Sequence, residues 1–273
     1  MPFYGRTAEL NELDRLYERE GATFGVVYGR RRVGKTSLLT HWLKTRTEEH
    51  PEMRAFLWFA EVGTPSEQLR KFCHAWTDFL GKPQVVYADW GSAMQALSYE
   101  AGEEDKLVVV IDEFTYLLSE DRSISSQFQK AWDLVLSNKN IMLLLAGSYM
   151  GMMHEHVISA QGPLFGRTNS AIYLQPFSFA YTSGYFPKYT AETRVALYSI
   201  WGGIPGYWNR LDPGISLSQN MVTQLLTPNS PYHFEPRLLL VDHVQDPSRY
   251  VSILRAISQG QATVTEILSL IHI

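Results

Sequence analysis

The sequence predicts an α/β protein organised around a central, parallel five-stranded sheet, and three observations carry that reading. Short apolar runs alternate with stretches of helical spacing from the N-terminus as far as Pro176. The runs are apolar throughout rather than at every second residue, as strands are when both faces of a sheet are covered. A glycine-bracketed basic loop joins the first of these runs to a helix, and the third run, Leu107–Ile111, leads directly into Asp112 and Glu113.

Taken in order, Leu10, Leu13 and Leu16 recur at helical spacing within Glu9–Arg19. Thr23–Tyr28 is a β-branched and aromatic strand candidate, and Ser37–Lys44 has helical character after the loop. Arg54–Phe59 reads as a second strand, and Ser66–Leu80 and Gly91–Ala101 as helices joined through Gly81-Lys82-Pro83. A helix is expected at Ile124–Leu136, a fourth strand at Ile141–Gly147 and a fifth at Ala171–Leu174. After Pro176 the composition shifts to aromatic-rich helical segments punctuated by Gly202-Gly203-Ile204-Pro205. The expected division is an α/β core over residues 1–176, a small helical subdomain over 177–230, and a linker with further helices over 231–273. In that last part Arg249–Ser258 and Thr263–Leu270 look helical.

Composition narrows the function classes. A chain of 273 residues with 45% hydrophobic and 19% charged residues has room for a full core and no disordered signature. A formal net charge of −4 argues against a broadly polyanion-binding surface. The single cysteine, Cys73, rules out an internal disulfide framework and a cysteine zinc site. The polar N-terminus lacks an apolar signal core, and the longest apolar runs fall far short of a ~20-residue span. No membrane association is expected, and the expected location is cytoplasmic.

The residues Gly29-Arg30-Arg31-Arg32-Val33-Gly34-Lys35-Thr36 match G-x-x-x-x-G-K-[ST] without a mismatch, and Ser37 follows. Between a strand and a helix, such a loop lets backbone N–H groups and a helix N-terminus approach phosphate oxygens. Lys35 is expected to reach the β- and γ-phosphates of ATP, and the Thr36 hydroxyl to ligate Mg²⁺. Asp112 and Glu113 fall at the carboxyl edge of the sheet, where ligands bind in open α/β folds. Asp112 is expected to hold the magnesium shell, and Glu113 to orient or deprotonate the attacking water. Arg30, Arg31 and Arg32 read as serving phosphates, loop packing or a partner.

These motifs resemble those of P-loop ATPases of the additional-strand class, and the surrounding residues narrow the resemblance. Phe3-Tyr4-Gly5-Arg6 with Glu9 is similar to the opening of STAND and AAA+-like ATPases. The three-arginine loop, Ile111-Asp112-Glu113-Phe114, Leu145-Ala146-Gly147-Ser148, Gly162–Arg167 and Gly202–Pro205 look like those of an archaeal and bacterial ATPase family in that clade. The resemblance implies an AAA+-like strand order, a helical lid and the start of a winged helix. It also implies that Gly5 and Arg6 lie near adenine and ribose, and that Ser148 is a polar sensor of the γ-phosphate or attacking water. By the same resemblance Arg167 stands at an arginine-finger position, which a second copy of the chain would supply, and Pro205 belongs to the lid over the adenine. No second sensor arginine stands out; Arg194 and Arg210 are equal candidates.

Two function classes follow. One is a Mg-dependent ATP hydrolase driving a conformational switch, and the other a regulatory or DNA- or protein-binding switch with little hydrolysis of its own. A small-molecule kinase suits Asp112, Glu113 and Ser148 less well, since they favour water activation. His154-Glu155-His156 does not read as a metal site, because i,i+2 histidines share no helical face. Tyr250–Ile271 looks like the first helices of a winged helix, so the expectation is a longer protein that meets DNA or a protein partner through a missing C-terminal region. Leu268–Ile273 resembles a translated adapter tail.

Overall fold

The structure is a computed structural model that describes residues 3–102, 105–230, 232–244 and 246–270. It opens with α1 (Thr7–Glu18), β1 (Thr23–Tyr28), α2 (Lys35–Glu49) and β2 (Arg54–Phe59). Then come α3 (Pro65–Phe79), α4 (Trp90–Glu100), β3 (Leu107–Asp112), α5 (Thr115–Glu120), α6 (Ile124–Leu134) and β4 (Ile141–Gly147). A short α7 (Met150–Met153) runs into a π-helical turn, His154–Ile158, before β5 (Ser170–Tyr173). The remainder is helical: α8 (Thr182–Tyr185), α9 (Ala191–Trp201), α10 (Pro205–Trp208), α11 (Leu217–Met221), α12 (Glu235–His243), α13 (Pro247–Ser258) and α14 (Val264–Leu270).

The five strands form one parallel sheet in the order β2-β3-β4-β1-β5. From β1 the chain crosses to the far edge, fills inward through β3 and β4, and then passes β1 to add β5 on its other side. The direction of winding therefore reverses beside β1, whose carboxyl end is where an open α/β sheet leaves a crevice for a ligand.

The apolar strand runs are explained by the pleat. Along β3, Val109 and Ile111 enter one core with Phe72, Trp76, Phe114 and Phe128, while Val108 and Val110 enter a second with Leu16, Leu38, Leu39 and Trp42. Alternate side chains point to opposite faces, and helices cover both, so every position must be apolar. Thr64 caps α3 with its side chain and Asp89 caps α4, each accepting a backbone N–H of the first turn.

The expected elements recur with shifted ends. The third strand extends to include Asp112, the fifth begins at Ser170, and α2 runs on to Glu49. Three helices, α5, α7 and α12, lie outside the expectations. The six-residue α5 is too short to show a helical period, and α12 carries a proline at its start, where a missing N–H costs nothing. Among the described residues no helix is long and apolar enough to cross a membrane.

Contacts divide the chain into two compact units, Met1–Tyr185 with Tyr198–Asn209, and Phe186–Leu197 with Arg210–Ile273. This division runs differently from the expected break at 176/177. Residues from the aromatic-rich segment join the sheet unit because Phe177 packs on Arg6 and Tyr181, and its N–H donates to the Gly203 carbonyl at 2.7 Å. The segments expected to be helical near the end, Arg249–Ser258 and Thr263–Leu270, correspond to α13 and α14. Ile271, His272 and Ile273, which the tail reading includes, lie outside the described residues.

Candidate active site

The site is assembled at the carboxyl ends of β1, β3 and β4. After Tyr28 the chain turns through Gly29, where a Cβ would stand 2.5 Å from the Leu174 carbonyl oxygen, so no larger residue fits. The loop ends at Gly34, and α2 starts at Lys35 with no side chain capping its N-terminus. Its first-turn N–H groups have no partner within the helix and carry the positive end of its dipole. Val33 is fully buried in the second core, which pins the loop from beneath, whereas Arg30, Arg31 and Arg32 are exposed. Thr36 and Ser37 face solvent on the first turn of α2.

Lys35 is buried, and its ammonium donates to the Gly29 carbonyl at 3.0 Å, the Arg30 carbonyl at 3.4 Å and Ser148 Oγ at 2.8 Å. Burial lowers its pKa, and the Glu113 and Asp112 carboxylates oppose that shift. Ser148 Oγ in turn donates to Glu113 Oε1 at 2.6 Å, so one hydroxyl links the loop cation to the acid after β3. Asp112 is fully buried; its Oδ2 accepts from Thr36 Oγ1 at 2.5 Å and its Oδ1 from the Glu113 N–H at 2.8 Å. Burial raises the Asp112 pKa, against the pull of those two bonds. Glu113 has φ 54°, an uncommon left-handed conformation for a non-glycine residue. Its neighbours are tied across the sheet, with the Phe114 N–H on the Ala146 carbonyl at 2.7 Å and the Ala60 N–H on the Asp112 carbonyl at 2.9 Å.

Thr36 and Asp112 thus present two hard oxygen donors in direct contact, a pair that fits Mg²⁺, whose shell is completed by water and phosphate oxygens. Among the described residues no group of three or more His, Cys, Asp and Glu is placed to hold a metal by itself. His154-Glu155-His156 has other occupations: His156 Nδ1 lies 3.2 Å from Ser125 Oγ, and Glu155 pairs with Arg122 at 3.0 Å.

Outside this group the expected residues fare differently. Gly5 packs on the Tyr181 ring, and Arg6 donates to the Val33 carbonyl at 3.1 Å, pairs with Glu9 at 3.1 Å and lies 4.2 Å over the Phe177 ring. Pro205 begins α10, and the N–H of the next residue, Gly206, donates to the Arg32 carbonyl at 3.0 Å. Arg32 itself lies 5.8 Å from the Tyr207 ring centre. Arg167 is not brought to Lys35, Asp112 or Glu113; it grips Asp133 of α6 through two parallel bonds of 2.9 and 2.8 Å and donates to the Phe165 carbonyl at 3.0 Å. Asp133 raises its pKa. Arg194 and Arg210 belong to the other unit, where Arg210 lies over the Tyr232 ring. Sequence reasoning missed Gly206 and Asp133. A glycine directly after Pro205, at the second position of a helix, is the signal that marked the first; nothing marked the second.

The chain is similar to known proteins along its whole length. It is 30% identical over 275 residues to an uncharacterized protein of Methanocaldococcus jannaschii, covering 97% of this chain and 56% of that protein. It therefore spans about half the length of that relative. A second uncharacterized protein of the same organism is 31% identical over 85 residues, 30% of this chain and 82% of that one. Among solved structures, a Walker-type ATPase of Pyrococcus abyssi aligns with a TM-score of 0.61 at 21% identity, covering 99% of this chain and 84% of that chain. The Aeropyrum pernix ORC2 protein, solved as ADPNP and ADP complexes, aligns with a TM-score of 0.52 at 17% identity, covering 100% of this chain and 69% of that chain. The Aeropyrum pernix ORC1 protein in complex with DNA aligns with a TM-score of 0.51 at 13% identity, covering 99% and 83%. At these identities the structures establish the shared α/β fold. The family model describing an ATPase domain predominantly from Archaea matches residues 3–211, and the chain belongs to that family.

Proposed function

We propose that this chain binds Mg·ATP at the carboxyl edge of β1, β3 and β4, hydrolyses it to ADP and phosphate, and uses the cycle as a conformational switch. The observation that carries the reading is the continuous polar chain Thr36–Asp112–Glu113–Ser148–Lys35, built from one helix start and two strand ends. Lys35 supplies the cation for the β- and γ-phosphoryl oxygens, and exchanges its present carbonyl partners for them. Thr36 and Asp112 hold the magnesium ion. When bound, that ion neutralises charge developing on the transferred phosphoryl group. Glu113 orients the attacking water and accepts its proton as the water oxygen bonds to the γ-phosphorus and the bond to the β–γ bridging oxygen breaks. Ser148 contacts both Lys35 and Glu113, which suits a residue that reports on the γ-phosphate.

One observation favours the second reading, a switch with little hydrolysis of its own. The Glu113 carboxylate already accepts from Ser148 Oγ, which itself accepts from Lys35, so the base is engaged until Lys35 moves to a phosphate. Arg167 would complete a neighbouring copy's site only after leaving Asp133, and an arginine finger is worth ~10³–10⁵ in rate. A homo-oligomer, a DNA or protein partner met through sequence such as that beyond the matched half of the longer relative, and a cytoplasmic location belong to the same proposal. The DNA complex of the Aeropyrum pernix ORC1 protein supports the DNA alternative by analogy of fold.

The test is phosphate release from Mg·ATP over a range of protein concentrations, with nucleotide binding measured separately. Lys35→Ala is expected to lose binding, and Glu113→Gln to bind normally while release falls at least ~100-fold. A rate per protomer that rises with concentration supports a site completed in trans. Release undiminished in Glu113→Gln would overturn the catalytic assignment, and absence of ATP binding by the unmodified chain would overturn the site.

A further inference from the structure

A loop that curls round a phosphate aims its N–H groups inward, so its carbonyls face outward and need donors of their own. Lys35 serves the carbonyls of Gly29 and Arg30. The carbonyls of Arg32 and Val33 are served from far along the chain. Val33 accepts from Arg6 Nη2 at 3.1 Å, and Arg32 accepts from the Gly206 N–H at 3.0 Å.

Both donors are held by their surroundings. Arg6 is buried, pairs with Glu9 and rests on the Phe177 ring, and the Phe177 N–H donates to the carbonyl of Gly203. Three residues further on, Gly206 comes close against Arg32. A Cβ there would lie 2.7 Å from Arg32 Cβ, so something would have to shift, and 3.0 Å from the Arg32 carbonyl oxygen, a tight contact. Arg32 keeps φ 64°, an uncommon backbone for arginine that its surroundings must maintain. Arg6, Phe177, Gly203 and Gly206 thus form a strap across the outer side of the loop, all within one compact unit.

We propose that Arg6 and Gly206 are positioning residues of the phosphate loop: by engaging the Val33 and Arg32 carbonyls they hold it in its anion-binding shape. The inference rests on the nucleotide reading above, and it gives Arg6 a task at the phosphates instead of the adenine and ribose contact that its place in the sequence implies.

Competition titrations with ATP and with inorganic tripolyphosphate, which has the phosphates but neither base nor ribose, test it on the full chain. Arg6→Gln and Gly206→Ala are expected to weaken both ligands by the same factor, about tenfold. Arg6→Lys, which keeps one donor, is expected to restore part of the loss for both. Thermal unfolding of each variant checks that it folds; if Gly206→Ala does not, the Arg6 pair decides alone. A loss confined to ATP, or no loss for either ligand, would overturn the proposal. An unmodified chain that binds neither ligand would instead overturn the nucleotide reading on which it rests.

Discussion

The two compact units treat apolar surface in opposite ways. In the sheet unit, both faces of β1, β3 and β4 are covered, and large rings such as Trp42, Trp76, Phe114 and Phe128 are almost wholly buried. In the other unit, α13 carries Tyr250, Leu254 and Ile257 at positions i, i+4 and i+7, and all three are exposed, while Ala256 is its buried residue. Phe234 and Leu238 near the start of α12, and Val264 on α14, are exposed as well. A helical stripe of that spacing is the pattern by which helices pack, so the contrast lies in what covers the stripe and not in the sequence pattern. The sheet unit also buries its chemistry: Lys35, Asp112 and Ser148 are all withdrawn from water and each is bonded, as most buried polar groups are.

Substitutions can break this comparison. Phe128→Ala, in the core between Trp90 and Phe114, is expected to cost about 3–5 kcal/mol in denaturant unfolding. Leu254→Ala on α13, at 52% exposure, is expected to stay within about 0.5 kcal/mol. Equal effects at the two positions would mean that the α13 stripe is covered in solution. A smaller effect comes from Lys106, whose ammonium is buried against the Arg19 carbonyl and whose pKa burial pushes down to about 8. Between pH 8 and the ordinary lysine value the unfolded chain holds the extra proton, so stability rises with pH across that window. The unmodified chain should gain about 1 kcal/mol over Lys106→Met between pH 8 and 10, and a flat difference would show that the amine is hydrated. The smallest effect is assigned to Arg167→Ala. Its partly exposed pair with Asp133 is worth about 0.5 kcal/mol, so a large loss of ATP turnover with little loss of stability would reveal a role at the phosphates.

How much was legible depends on how local the physics is. The G-x-x-x-x-G-K-T loop and the acids after β3 were readable because each is an unbroken run of particular residue types, and the phosphate and magnesium roles proposed for them rest on those types. The strands were readable because a covered sheet demands apolar residues at every position, and their ends moved by a residue or so where pairing rather than composition sets the limit. The six-residue α5 was invisible because it is shorter than two helical turns and shows no repeat. Arg6 shows the harder case. Its place in the opening motif implied contact with the nucleotide base, but only packing could show its guanidinium on the Val33 carbonyl and the Phe177 ring. Arg167 likewise stands at an arginine-finger position by resemblance, and only packing could show Asp133 beside it.

Residue type and short-range spacing suffice for the class of fold, for the glycine-bracketed loop between β1 and α2, and for which acids stand at the sheet edge. The tertiary structure alone decided that Ser148 bridges Lys35 and Glu113, that Gly206 presses on Arg32, and that Arg167 is held by Asp133. Those contacts join residues distant in the chain. Such a contact depends on where whole elements come to rest, and spacing along the sequence carries no record of that.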